Sequence, residues 1–451
     1  MIVLYLLGNA GGTADREYFC CAADSALKAA FPDTPSNSGT AVEGLINQAL
    51  IQSCGDQLLL SSHVSIAVSG STYINERMPD AGRRKSIAEA LTYALCDIIE
   101  TKPFTERISQ LISAMLRFVV NSEDIPAEAV NKAMCTAVVV MRANSFMYNI
   151  SCNELLVKCC NKAKINSQEV FDKLYYATDI FDQSKLYEFA LKLALKLLKM
   201  LECEMNGSEP LPFEMSFDDD IHYHSGLIYS LVQSESENIS QLKQAYDMHK
   251  GVRLLFEEKK DKAVSKATQA IYYSDTGALY LNLGKFFDRY SSILFEDDLV
   301  TPYQCFDRAI ENQTKAFELR QKAYEDDQNN NTVFDYAKSC ETLASTYFYM
   351  KNYPKSIEIR RRLFEKVKDF EHDSRLEGKL DNMKDNLVGC YLQIALSRSL
   401  TDDEYNECTA ILEYLVSKYP KGEVFHERPA IKLEKLKKLH SSQPYEKGTA
   451  Q

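Results

Sequence analysis

Between Ala316 and Lys366 the chain repeats itself, and this restricts its possible folds more than any other feature. Glu318-Leu319-Arg320-Gln321-Lys322-Ala323-Tyr324-Glu325 returns 40 residues later as Glu358-Ile359-Arg360-Arg361-Arg362-Leu363-Phe364-Glu365. Both copies read Glu, aliphatic, Arg, then a cation at the fifth position, a small or aliphatic residue, an aromatic and Glu. A period of about 20 to 50 residues marks stacked supersecondary units. Each unit is a helix pair that cannot bury its apolar face alone, so neighbours have to cover one another. The repeat specifies architecture and says little about activity.

The totals agree with that architecture. A chain of 451 residues can hold two or three domains or one extended array. With 45% hydrophobic and 26% charged residues the chain is not wholly disordered. Only 17 Gly and 12 Pro punctuate it, too few for a many-turned all-β fold, so most of it is expected to be helical. A net charge of −12 repels phosphate backbones and argues against nucleic acid as the main partner. The terminal helix expected over 423–440 gathers Arg428, Lys432, Lys435, Lys437 and Lys438 and reads as a solvated cap suited to the helix dipole. Thirteen scattered Cys, an odd number, do not form a secreted disulfide framework. Many, such as Cys96, Cys135, Cys340, Cys390 and Cys408, stand where a helix needs a small core residue. No apolar run is long enough to span a membrane, and Met1–Leu7 lacks the basic flank of a signal peptide. The expected location is cytoplasmic.

Taken in order, residues 1–78 form a small α/β unit. Ile2–Leu7 is a β-branched-rich strand candidate ended by Gly8-Asn9-Ala10-Gly11-Gly12, with a helical pattern over 15–31. Gln57–Ser69 is the second candidate, because Val64, Ile66 and Val68 alternate with smaller residues. A parallel pair with a crossover is the expected arrangement. Residues 79–205 read as a helical domain, with Ile87, Leu91 and Leu95 on one face, and Leu111, Met115 and Val119 on another. Asn206–Asp220, with Gly207, Pro210 and Pro212, is a linker whose acidic end can start a helix. Helical hairpins fill 221–440, and 441–451 is a disordered tail.

These hairpins resemble the tetratricopeptide-repeat family. Tyr280-Leu281-Asn282-Leu283-Gly284-Lys285-Phe286-Phe287 carries the aromatic, Leu-Gly and following aromatic of that motif. In 337–370 Leu343-Ala344, Tyr347, Tyr353, Ser356 and Leu363 take the corresponding places, and in 381–420 Leu387-Val388, Tyr391, Tyr405, Cys408, Leu415 and Pro420 do so. The spacing departs from the family's norm of about 34 residues: Leu283 to Leu343 is 60 and Leu343 to Leu387 is 44. The long second helices look like those of kinesin light chains and bacterial relatives, and the insertion over 291–302 is this chain's own. The resemblance implies a superhelix whose concave face holds a protein or peptide partner. Projected onto this chain, the groove positions are Asn282, Lys285, Arg289, Glu341, Ser345, Tyr349, Asn386 and Gln393. The Lys and Asn of a carboxylate clamp for chaperone tails are replaced by Glu341 and Ser345.

Candidate chemistry is sparse. The turn at Gly8, Gly11 and Gly12 could offer backbone N–H groups to an anion, yet it matches neither G-x-G-x-x-G nor the Walker pattern and reads as a plain strand-to-helix turn. Asp218-Asp219-Asp220-x-His222-x-His224 is metal-like only if extended. On a helix the two imidazoles diverge by about 200°, so an acidic N-terminal cap is expected. Cys152, Cys159 and Cys160, like Cys20 and Cys21, lack zinc spacing and read as core thiols. His63 is explained by strand alternation. No catalytic residue, cofactor or metal is assigned. A noncatalytic peptide-binding scaffold is the leading reading, beside a ligand- or nucleotide-sensing regulator or an enzyme with its site in the N-terminal unit.

Overall fold

The computed structural model describes residues 13–30, 38–47, 51–54, 56–60, 80–143, 150–184, 186–205, 207–233, 239–289, 301–370, 374–422 and 424–442. The described chain is mostly α and divides between Met215 and Ser216 into two compact units, Gln233–Glu235 grouping with the first.

In the first unit, strand β1 (Thr13–Asp15) leads into α1 (Arg16–Ala30), followed by α2 (Ser38–Asn47), β2 (Ile51–Cys54) and β3 (Gln57–Leu60). The three strands form one sheet in the order β1-β3-β2, antiparallel throughout, with Ala14 opposite Leu58 and Ser53 opposite Leu58. The parallel pair expected from sequence would join 2–7 to the strand that begins at Gln57. The candidate strand 2–7 lies outside the described residues, while β3 pairs with two three- or four-residue strands. Asp15 turns strand into helix. Its carboxylate accepts from the Tyr18 N–H at 3.1 Å and from Arg107 Nε and Nη2 at 2.8 and 3.1 Å.

Six further helices follow in this unit among the described residues: α3 (Ala81–Thr101), α4 (Glu106–Asn121), α5 (Ala127–Ala143), α6 (Ile150–Lys162), α7 (Gln168–Gln183) and α8 (Tyr187–Met205). Asp80, Thr105 and Ser167 cap α3, α4 and α7 by accepting from the N–H three residues on. Helix α3 buries Ile87, Leu91 and Leu95, and α4 buries Leu111, Met115 and Phe118. Cys152, Cys159 and Cys160 are buried, and desolvation pushes the Cys159 thiol up to about 12, so they behave as small hydrophobes. Cys21 departs from its expected place in the core. Helix α1 turns Phe19, Ala22, Ala23 and Ala26 inward, which leaves Cys21 exposed and Cys20 half-buried.

The second unit is a succession of helices: α9 (Phe217–Gln233), α10 (Ile239–Ala263), α11 (Lys266–Arg289), α12 (Pro302–Asp326), α13 (Asn330–Tyr349), α14 (Tyr353–Lys366), α15 (Ser374–Ile394), α16 (Asp402–Lys418) and α17 (Val424–Ser442). Asp218, Asp219 and Asp220 fall in the first turn of α9, where the dipole favours them. From α11 onward each helix packs on the next, and the first helices α11, α13 and α15 also touch in sequence, as stacked hairpins do. One cluster joins Tyr324, Tyr336, Leu363 and Met383, and the next joins Ile357, Leu387, Tyr391, Leu412 and Leu436, so from α12 to α17 each pair is covered by its neighbour.

Small residues set how closely the paired helices approach. A Cβ on Gly284 would stand 2.8 Å from the Phe306 ring, inside van der Waals contact. At Ala344, the matching place in the next pair, the carbonyl accepts from Ser356 Oγ at 2.6 Å. Gly284→Ala should gain up to about 1 kcal/mol of helix propensity and lose about 1–3 kcal/mol to overpacking. The expected result is a net destabilisation in urea melts, recovered by adding Phe306→Leu. A more stable single variant would contradict the close approach.

Candidate functional site

The two copies of the sequence repeat place an arginine at the same structural position. Arg320 on α12 is buried and donates to Ser339 Oγ on α13 at 2.8 Å; burial pushes its guanidinium below the usual arginine range, and the carboxylates of Asp335 and Asp275 oppose that shift. Arg360 on α14, 1% exposed, donates Nε and Nη2 to Glu341 on α13 at 2.8 and 2.7 Å, and reaches Cys390 Sγ on α15 at 3.5 Å. Each arginine therefore faces its own first helix and the one that follows. The planar guanidinium, with donors on several edges, suits such a junction.

Three projected groove residues belong to this junction. Glu341 also accepts from Ser345 Oγ at 3.0 Å and from Asn386 Nδ2 on α15 at 2.9 Å. Glu341, Ser345 and Asn386 thus sit together across α13 and α15, with their polar atoms turned toward Arg360. Lys285 on α11 lies with Nζ 3.8 Å from the centre of the Tyr349 ring on α13 and donates to Asn282 at 3.5 Å. The cation rests on the negative face of the ring. Arg289 closes α11, and its side chain lies outside the described residues.

Ser345, Tyr349, Asn386 and Gln393 line one cavity of about 500 Å³, together with Phe348, Arg360, Gly389 and Leu392. Its remaining wall is α17, through Arg428, Ile431, Lys432 and Lys435. The spacing of four, three and seven keeps these residues on one face of that helix. Arg428, Ile431 and Lys435 are exposed on this face, as a solvated cap requires, and Lys432 is half-buried. Arg428 pairs with Asp385 Oδ2 at 3.0 Å, and Lys432 with Oδ1 at 2.8 Å and with the Asp385 carbonyl at 2.7 Å. Burial holds Lys432 below the ordinary lysine range, the carboxylate of Asp385 opposing that shift. Sequence read these cations as part of a solvated cap and assigned them no place in a site. Their i, i+4, i+7 spacing around Ile431 was the available signal.

A second cavity of about 570 Å³ lies between α14, α15 and α16 and is lined by Arg361, Arg398, Glu404 and Tyr391 among others. Its charges are balanced locally: Glu358, Glu365 and Glu404 line it beside Arg361, Arg362 and Arg398, and Arg361 pairs with Glu407 and Arg398 with Glu404 at 2.7 Å. It leaves little for a ligand to neutralise.

The other candidates offer less. Gly8, Gly11, Gly12 and His63 lie outside the described residues. Asp15 is committed to Arg107. His224 is buried with Nδ1 3.0 Å from Asp220 Oδ1, one turn back on α9. Among the described residues no group of three or more His, Cys, Asp or Glu side chains could hold a metal ion, and no helix is long and apolar enough to cross a membrane.

Fold and cavity together define a helical-hairpin repeat protein with a polar and aromatic face on its first helices. No protein-family model matches the chain, and no curated protein does either. Among solved structures it is similar to a signal-transduction ATPase with numerous domains and a tetratricopeptide-repeat sensor from Pyrococcus horikoshii, at 14% identity and a TM-score of 0.33. That likeness covers 98% of this chain and 62% of the archaeal one. At such a score it carries no argument.

Proposed function

We propose that this chain is a tetratricopeptide-like scaffold that holds a protein or peptide partner on the face carried by α11, α13, α15 and α17. The observation that supports the reading most is the 500 Å³ cavity, where Ser345, Tyr349, Asn386 and Gln393 converge from two different first helices. These are four of the eight positions that the repeat resemblance assigns to partner contact. Tyr349 is 43% exposed, an aromatic surface that a partner side chain can cover. The reading places the partner on a preformed helical surface and assigns no covalent chemistry to it.

The test uses the full chain as bait, beside a Tyr349→Ala/Gln393→Ala variant, with recovered proteins quantified by mass spectrometry. Both side chains are at least partly exposed, so circular dichroism and the melting midpoint should match the wild type. At least one specific partner is expected to fall tenfold or more with the variant. Equal recovery of every specific partner would remove this face from the binding site.

A further inference from the structure

We infer that the cavity between α13, α15 and α17 takes an acidic segment of another protein that also carries an apolar side chain; this rests on the proposed function and names the chemistry of the partner. The first argument is charge. Arg428 and Lys432 share the single carboxylate of Asp385, leaving about one positive charge between them. Lys435, exposed on the same face, has no ion pair among the described residues and adds another. Arg360 and Glu341 cancel. A surplus of about two positive charges thus faces one cavity on a chain whose net charge is −12. Such a local reversal attracts carboxylates and discriminates against basic segments.

The second argument is the apolar ground between these cations. Ile431 is 65% exposed, and it stands on α17 between Arg428 and Lys435. Leu392 and Phe348 line the same cavity from α15 and α13. A purely acidic ligand would leave this surface in contact with water. A segment with an aliphatic or aromatic residue beside its carboxylates would cover it, gaining roughly 25 cal/mol per Å² of apolar surface buried. The neighbouring 570 Å³ cavity serves as an internal comparison, since its three arginines, Arg361, Arg362 and Arg398, are matched by the three glutamates that line it, Glu358, Glu365 and Glu404.

The experiment pans a random dodecapeptide phage library on the full chain and on two variants, Lys435→Glu and Ile431→Ser. Both residues are exposed, so the fold should survive each change. The expected result is enrichment on the wild type of peptides with three or more Asp or Glu and an aliphatic or aromatic residue. Their affinity, measured by fluorescence anisotropy of a labelled winning peptide, should fall tenfold or more with Lys435→Glu and about threefold with Ile431→Ser. It should also weaken with added salt. Enriched peptides without acidic bias, or acidic peptides that bind the Lys435→Glu chain equally well, overturn the inference. If acid-poor peptides are instead lost on Tyr349→Ala/Gln393→Ala, the inference fails while the peptide-binding reading stands. No enrichment on the wild type defeats both. A wild-type chain whose dimerisation in sedimentation is abolished by Lys435→Glu assigns the face to a second copy and also overturns the inference.

Discussion

Leu387→Asp is expected to destroy the protected structure of α14 to α17. Leu387 is 1% exposed and lies in a cluster with Ile357 of α14, Val388 and Tyr391 of α15, Cys408 and Leu412 of α16, and Leu436 of α17. The substitution removes about 2–3 kcal/mol of apolar burial and places a carboxylate within a mainly apolar cluster, away from water. A total near 5 kcal/mol is at the extreme of single-residue effects and comparable to the whole stability of many domains. Stacked repeats depend mainly on their nearest neighbours. The loss should therefore be regional. In hydrogen exchange, amides of α14–α17 should become fast while the α11–α12 pair, whose contact at Gly284 and Phe306 is untouched, stays slow. Wild-type protection throughout would show that Leu387 does not join these helices.

Much of this second unit could be read in the sequence because its cause is local and repeated. The apolar spacing gave the helices, and the small residues Gly284 and Ala344 marked where two of them meet. The N-terminal sheet was harder. Strands of three and four residues, Thr13–Asp15 and Ile51–Cys54, are too short for alternation to rise above noise, and antiparallel pairing depends on partners distant in the chain. The candidate cavity was only partly legible in the sequence. Helical periodicity places Glu341, Ser345 and Tyr349 on one face of α13. It does not reveal that Arg360, on the neighbouring helix, takes the carboxylate of Glu341 while Tyr349 remains exposed. Nor does periodicity say which face of α17 turns toward α15. That follows from Asp385, whose side chain is 5% exposed and draws Arg428 and Lys432 to it.

The arginine of the repeat supplies the other large effect. Arg360→Ala should cost the second unit about 3–5 kcal/mol, because it strands the Glu341 carboxylate, only 16% exposed, without its main counter-charge. Asn386 and Ser345 still donate to it, but two neutral donors do not replace a bidentate guanidinium. Glu341→Lys should cost at least as much, since it sets a second cation against a buried one. The pair itself need contribute little net stability, because its attraction is offset by the desolvation of both ions. Glu341→Leu/Arg360→Met, which replaces both charges with apolar groups, is therefore expected within about 1–2 kcal/mol of the wild type and well above either single variant. Urea melts of the four chains measure this. A double variant as unstable as Arg360→Ala would mean that Arg360 acts through Ser356, to which it also donates, and through Cys390 rather than through Glu341. A small single effect would mean that the guanidinium is held by packing alone. In either case the 40-residue recurrence of Arg320 and Arg360 would need a cause other than a charged junction between successive first helices.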